Sequence, residues 1–497
     1  MKFVAQSLQQ SCNLFNKLST SILFVMFLLR VSYEVSGSRF LVKTLPGFDG
    51  DLPLTLETGY IGVGASDAVQ LFYYFVESQG DPQSDPIMLM PTGGPGCSGL
   101  VNLMSKSGPL NINYLNSTWE NQTLEINSDS WTKVASIIYL DLPAGCGFSY
   151  AKTPEAYITN DIFSATHAYQ FLRKWLVDHP KFLNNPLYVA SSSYSGIPVP
   201  IIVHEIYKGN EVGEMPKINI KGYLLGNPLT DINGDYNSKI PYAYRMALLS
   251  DAIYKSTQEN CHGEYFNVDP NNTLCMHYLQ VVNKCLERIN TEHILEPQCD
   301  VANTLNSNLY RRGLRSFEKR YRDIWTLPQA HIQPCELAQE NIRRYIPAWA
   351  NRNDVRKALH VSEELDDIEW VRCNERMKFN FHETEDIPYN HNVQSSVPYH
   401  RLLTTRNCRA LVYSGDHDLL VPYLGTLKWI ESLNLLVTDD WRPWFFDEQI
   451  VGYTMTYSNH DYNLTFTTIK GEGHTPQEYK PKEHLSMIRK WLANDVL

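Results

Sequence analysis

One stretch narrows the folds open to this chain more than any other: Asn185 to Asn210, NPLYVASSSYSGIPVPIIVHEIYKGN. A short apolar run, Leu187 to Ala190, meets a cluster of small residues, and apolar positions then recur at Ile197, Ile201, Ile202 and Ile206 before Gly209. This spacing predicts a strand, a sharp turn and a helix that stops at the glycine. A serine at such a turn has its hydroxyl lifted above the end of a sheet, and the amide after it lies at a helix N-terminus, placed to donate to an oxyanion. Ser193 is the candidate nucleophile and Tyr194 supplies that amide. Ser191 and Ser195 stand where the G-x-S-x-G pattern has glycines, so this segment alone fits a polar turn without chemistry equally well.

The 497 residues, 43% hydrophobic and 12% aromatic, are enough for one large globular unit or two. Forty-three basic against 54 acidic side chains give a net charge of −11 with no basic block, which argues against nucleic acid as a partner. At the N-terminus Lys2 and Lys17 precede the apolar run Ile22 to Leu29 and the small residues Ser36, Gly37 and Ser38. A run this short reads as a secretory signal over residues 1–37, with a signal anchor as the alternative, and leaves no membrane span after cleavage. Of ten cysteines Cys12 lies in that signal, so at least one of the nine others is unpaired or joins another chain. Sequons at Asn116, Asn121, Asn271 and Asn463 agree with an oxidising lumen, secretory and then vacuolar or extracellular.

Along the chain, Val42 to Ser78 reads as a starting meander that includes the strand Ala68 to Phe75. The apolar run Ile87 to Met90 feeds PTGGPGCSG, a glycine-rich loop whose amides approach a ligand unobstructed; Gly94 is the candidate second oxyanion donor, against an ordinary tight turn. Ser136 to Asp141 is a third buried strand, and Ala165 to Leu176 follow at helical spacing, stopping before Pro180. Strands alternating with helices predict a parallel sheet covered on both faces over residues 38–241 and 346–497. Between them, residues 242–345 are polar, helical in tendency and hold Cys261, Cys275, Cys285, Cys299 and Cys335, as expected of a disulfide-stapled helical insertion over the sheet. Asn303 to Arg322 is its most loop-like part and the expected place for proteolytic cutting, which makes the mature form a monomer or a two-chain species.

The sheet resumes with Ile218 to Leu225 before the insertion and, after it, Arg409 to Tyr413 and Leu464 to Lys470; Tyr479 to Leu492 closes the chain as an amphipathic helix. Three strand ends thus present Ser193, then Asp418, then His474, the order of nucleophile, acid and histidine on α/β-hydrolase sheets. A serine hydroxyl needs an imidazole to take its proton, and the imidazole needs a carboxylate to hold its tautomer. Asp416 competes for the acid role; Asp418 is favoured because it sits further past the strand end. Neither a metal nor a cofactor is expected, since His417 between two aspartates has no matching H-x-x-x-H or C-x-x-C.

These residues carry a resemblance. PTGGPGCSG, DLPAGCGFSY, SYSG, GNPLTD, SGDHDLLVP, DDWRPW and GEGHTPQEYKP resemble the plant serine carboxypeptidase-like proteins, over Val42 to the C-terminus. The resemblance implies an α/β-hydrolase fold with a mostly parallel central sheet and a helical insertion. It implies the triad Ser193, Asp418 and His474, the oxyanion donors Gly94 and Tyr194, and disulfides Cys97 to Cys335, Cys261 to Cys275 and Cys285 to Cys299. Cys146, Cys373 and Cys408 are then left over.

That family divides between peptidases and acyltransferases. Its peptidases look to hold the substrate carboxylate with an asparagine and two glutamates, where this chain has Thr92, Ser192 and Lys106. Thr92 before the paired Gly93 and Gly94, with DDWRPW and SGDHD, looks like the acyltransferase branch, which moves an acyl group from a 1-O-β-glucose ester through an acyl-serine to an alcohol or amine. Thr92, Gly93, Ser192 and Lys106 are the expected substrate-binding positions; Lys106 is either the site of an anionic group or a surface lysine. A carboxypeptidase, and an inert companion of a related acyltransferase, are the competing readings.

Overall fold

The computed structural model describes residues 38–297, 339–374, 377 and 389–497. The described residues of Arg39–Leu497 cluster as one compact unit. The expected signal, the expected cutting site at Asn303 to Arg322, Cys299 and Cys335 lie outside the described residues.

The apolar runs form the centre of a 12-stranded sheet. In chain order its strands are β1 (Ser38–Val42), β2 (Leu56–Val63), β3 (Val69–Val76), β4 (Ile87–Pro91), β5 (Ser136–Leu140), β6 (Tyr150–Ala151), β7 (Leu187–Ser192), β8 (Ile220–Gly226), β9 (Arg409–Gly415), β10 (Leu436–Phe446), β11 (Gln449–Asn459) and β12 (Tyr462–Ile469). They lie in the order β1-β2-β3-β5-β4-β7-β8-β9-β12-β11-β10, with β6 beside β3. From β5 to β12 every pairing is parallel, and antiparallel strands flank both sides. A parallel strand buried on two faces has no polar face to show, which is why Leu187 to Ala190 and Ile87 to Met90 read as unbroken apolar runs.

Helices cover both faces. Val189, Leu225 and Val412 pack with α2 (Asp161–Asp178) and α3 (Pro198–Glu211), through residues such as Trp175 and Ile202. The alternate strand residues Tyr188, Ala190, Leu224 and Leu411 pack on the opposite face with α1 (Gly99–Leu103) and the last helix, Pro481–Ala493, through Leu100, Met487 and Trp491. This period of two splits the core into two layers. Burying each large apolar side chain in them contributes roughly 1.5–3 kcal/mol.

The helical layer beyond β8 opens with α4 (Ile232–Arg245), ahead of the Tyr242 start expected. It continues through α5 (Asp251–Cys261) and α6 (Thr273–Leu286), which the expected Cys261–Cys275 disulfide joins. Cys285 is exposed on α6. One expectation is overturned: Cys97 is bonded to Cys373, not to Cys335, so Cys373 is not left over. Antiparallel backbone pairing brings the two together, with the Ser98 amide donating to the Arg372 carbonyl at 2.9 Å and the Asn374 amide to the Gly96 carbonyl at 2.8 Å. Cys146 and Cys408 are buried and outside disulfides. The four sequon asparagines are all exposed. No helix among the described residues is long and apolar enough to cross a membrane.

Candidate active site

The C-terminal ends of β7, β8, β9 and β12 lie along one edge of the parallel sheet, where loops from sequence-distant segments meet. At the end of β7 the chain turns sharply, and Ser193 takes a left-handed backbone conformation, φ 61°. A non-glycine residue held there is strained, and the surrounding contacts fix it. The Ser193 carbonyl accepts the Leu229 amide at 2.9 Å, and Ser191 donates its hydroxyl to the Pro91 carbonyl of β4. A serine is therefore accommodated at the first glycine position of the pattern, because its hydroxyl finds an acceptor on the neighbouring strand. Ser195, at the other position, is buried.

Ser193, His474 and Asp418 converge. His474 Nε2 lies 2.8 Å from Ser193 Oγ, and its Nδ1 lies 2.7 Å from Asp418 Oδ2. With Nδ1 donating to the carboxylate, Nε2 is left to accept the serine proton. Asp418 is fully buried and His474 only 6% exposed, so water competes little for either hydrogen bond. Three further donors hold the acid: Asn227 Nδ2 reaches Oδ2 at 2.7 Å, and the amides of Leu420 and Val421 reach Oδ1 at 2.7 and 3.1 Å. Asp416 turns elsewhere, accepting the Gly471 amide at 2.6 Å and facing His417 at 2.7 Å.

The glycine loop after β4 closes on the elbow. A Cβ on Gly93 would stand 2.8 Å from the Ser192 carbonyl oxygen and 3.1 Å from Ser193 Cβ, so only glycine allows this approach. The Tyr194 amide nitrogen lies 3.4 Å from that Cβ position, and among the described residues neither it nor the Gly94 amide has an acceptor. Tyr194 is anchored at its far end, its hydroxyl donating to the buried Asp161 at 2.5 Å and lying 2.7 Å from His391 Nδ1. Burial and the neighbouring acid push its phenol pKa well up, so it stays a neutral donor.

The remaining expected positions form the rim. Thr92 Oγ1 accepts Asn102 Nδ2 at 3.2 Å, and the Lys106 amide donates to Glu478 Oε1 at 3.3 Å, one turn past His474. Ser192 ends β7 beside the nucleophile. Sequence reasoning missed four contributors. Asn227 stands in the sequence only as part of GNPLTD, although it follows a strand adjacent to two others that lead to triad residues. Asp161 and His391 gave no signal.

The fourth is a clamp from the helical layer: Thr291 and Glu292 carbonyls accept the Leu419 and His474 amides at 3.0 and 2.6 Å, and the Ile294 amide donates to the His417 carbonyl at 3.1 Å. A Cβ on Gly415 would meet the Gly473 carbonyl at 2.2 Å, so the acid and histidine loops pass in direct backbone contact.

Taken together, the arrangement can activate a serine for attack on an acyl carbonyl and receive the resulting oxyanion. Residues 46–494 match the serine carboxypeptidase family. "Serine carboxypeptidase-like 17" of Arabidopsis thaliana is 43% identical over 480 residues, 97% of this chain and 98% of its own length. "Serine carboxypeptidase-like 7" of the same plant is 43% identical over 482 residues, 97% of this chain and 100% of its own length. Among solved structures, a prohormone-processing carboxypeptidase of Saccharomyces cerevisiae superposes with a TM-score of 0.65 over 89% of this chain and 92% of its own at 18% identity, a likeness of fold. On the sequence match and the shared architecture, this chain belongs to the serine carboxypeptidase family and has its α/β-hydrolase fold.

Proposed function

We propose that the protein is an acyltransferase that takes an acyl group from a 1-O-β-glucose ester and passes it through an acyl-Ser193 intermediate to an alcohol or amine. Ser193 Oγ attacks the ester carbonyl as His474 takes its proton, while the Gly94 and Tyr194 amides receive the oxyanion. The bond to the anomeric oxygen breaks and His474 returns the proton to glucose. The acceptor then attacks the acyl-serine, His474 takes its proton and gives it back to Ser193 Oγ. Asp418 holds the imidazole throughout and stabilises its charged form.

The observation that carries the choice of transfer over peptide cleavage is the rim. Where a carboxypeptidase of this family holds the substrate's terminal carboxylate with an asparagine and two glutamates, this chain presents Thr92, Ser192 and Lys106. Thr92 Oγ1 is occupied by Asn102. The joined triad supports a working enzyme over an inert companion. A lumen of the secretory pathway fits the expected signal and the exposed sequons. The test is to incubate the protein with a panel of 1-O-acyl-glucoses and with alcohols and amines, against a Ser193→Ala control. Acceptor-dependent glucose release is expected; release at the same rate without acceptor, or loss of a C-terminal residue from blocked dipeptides, contradicts the reading.

A further inference from the structure

Lys239 lies on α4. Its Nζ stands 4.2 Å from the centroid of the Tyr236 ring, and Tyr236 is stacked at 4.5 Å on Phe266, which lies between α5 and α6. One helical turn on, the Tyr242 hydroxyl donates to the Asp416 carbonyl at 2.7 Å, so this part of α4 runs along the acid loop. Among the described residues no oxygen accepts a hydrogen bond from the Lys239 ammonium. The residue is half-buried, yet burial pulls its pKa down to about 8, against the opposing pull of Asp418 and Asp235.

Neither carboxylate is paired with it. Asp418 is held by His474, Asn227 and two amides, and Asp235 Oδ2 accepts the Thr230 and Asp231 amides at 2.7 and 3.0 Å. A half-buried ammonium from which no oxygen among the described residues accepts a hydrogen bond keeps donors that a substrate anion can fill. The Glu478 carboxylate lies against the Lys106 amide, and an anion placed there would be repelled.

We propose that Lys239 is the subsite for a carboxylate on the substrate, its ammonium pairing with that carboxylate while Tyr236 and Phe266 cover the chain leading to it. This rests on the acyl-transfer reading of the same site. The carboxylate belongs to the acyl group or to the acceptor, and separate arms of the test distinguish them.

Ser193→Ala protein, which does not turn over, is titrated calorimetrically with glutarate and with its neutral dimethyl ester, with and without Lys239→Met. Loss of Lys239 is expected to weaken glutarate binding by about tenfold or more and to leave the diester unchanged. In active protein the acylation burst is compared for p-nitrophenyl hemiglutarate and p-nitrophenyl valerate. Deacylation is compared for a 2-hydroxy acid and its methyl ester. A selective loss in the first comparison assigns the carboxylate to the acyl group, and in the second to the acceptor, with Lys239→Arg restoring most of it. Labelling of Ser193 by a fluorophosphonate checks that Lys239→Met is folded, and Lys239→Gln replaces it if it is not. Equal effects on charged and neutral probes in every arm, or no glutarate binding to the Ser193→Ala protein, overturn the proposal. Nitrophenyl ester hydrolysis with no transfer to any acceptor overturns the acyl-transfer reading while the carboxylate preference in the burst still stands.

Discussion

Asn227 and Asp418 meet at 2.7 Å through amide nitrogen and carboxylate oxygen, and the oxygen that Asn227 holds is the one that receives His474. The acid of the triad is thus oriented from β8, a strand that carries no triad residue of its own. Asn227 itself has φ 44°, a conformation glycine also adopts. Asn227→Gly therefore removes the donor without straining the turn. Loss of a buried hydrogen bond to a charged group is worth about 1.5–3 kcal/mol, so kcat is expected to fall roughly ten- to a hundredfold with KM little changed. Steady-state kinetics on any substrate that acylates Ser193 checks this; an unchanged kcat would show that Asn227 only fills space.

Ser191 is the departure from the usual elbow pattern, and its hydroxyl donates to the Pro91 carbonyl. Restoring glycine there by Ser191→Gly leaves that buried carbonyl without its donor and adds backbone freedom to the end of β7. Stability is expected to drop by about 1–3 kcal/mol while kcat stays within a few fold. Thermal unfolding of the two proteins beside their esterase rates separates the effects. A large gain in activity on substitution would mean that Ser191 impairs the elbow.

Glu472 sits two residues before His474, fully buried, with no hydrogen-bond partner for either carboxylate oxygen among the described residues. Burial pushes its pKa up to about 9, with Glu483 and Asp416 adding to the rise and Lys480 opposing it. A carboxyl that holds its proton more tightly when folded gives its full contribution below the ordinary value of 4.5 and loses it as pH rises toward about 9. Glu472→Gln should match the parent near pH 4.5 and exceed it at pH 8 by at least about 1 kcal/mol. Tm measured from pH 4.5 to 9 tests this; parallel curves for the two proteins would count against a neutral Glu472.

The Cys97–Cys373 disulfide closes a sequence separation of 276 residues and lies just past the glycine loop that carries Gly94. Replacing both cysteines by serine should cost about 2–5 kcal/mol of stability. Because Cys97 also donates its amide to the Gly93 carbonyl at 3.2 Å, the loosened loop should lower kcat as well. Peptide mapping without reduction, followed by kinetics of the double variant, checks the pairing and its consequence together.

What was legible in the sequence follows from burial. Strands β4, β5, β7, β8, β9 and β12 are covered on both faces, so each appears as an apolar run, and the loops at their ends pointed to Ser193, Asp418 and His474. The β10 and β11 hairpin escaped notice because its faces are largely open to solvent. β10 holds Asp439, Asp440 and Pro443, and its pairing is broken by register shifts that blur alternation. Asn227 and the Thr291 to Ile294 clamp act on the triad through contacts across long sequence separations, which no local pattern encodes. The Cys97 partner that the resemblance implied did not hold, because which backbone segments lie antiparallel is not carried by the motifs around the cysteines.

The central claim is that Ser193, driven by His474 and Asp418, becomes acylated and is relieved by an acceptor in preference to water. Rapid quenching of the protein with a 1-O-acyl-glucose, followed by mass spectrometry of its peptides, tests this most directly. The acyl mass is expected on the peptide containing Ser193, lost in His474→Ala protein and discharged faster when the acceptor is added. No acyl mass on Ser193, or discharge at a rate indifferent to acceptor, would contradict it.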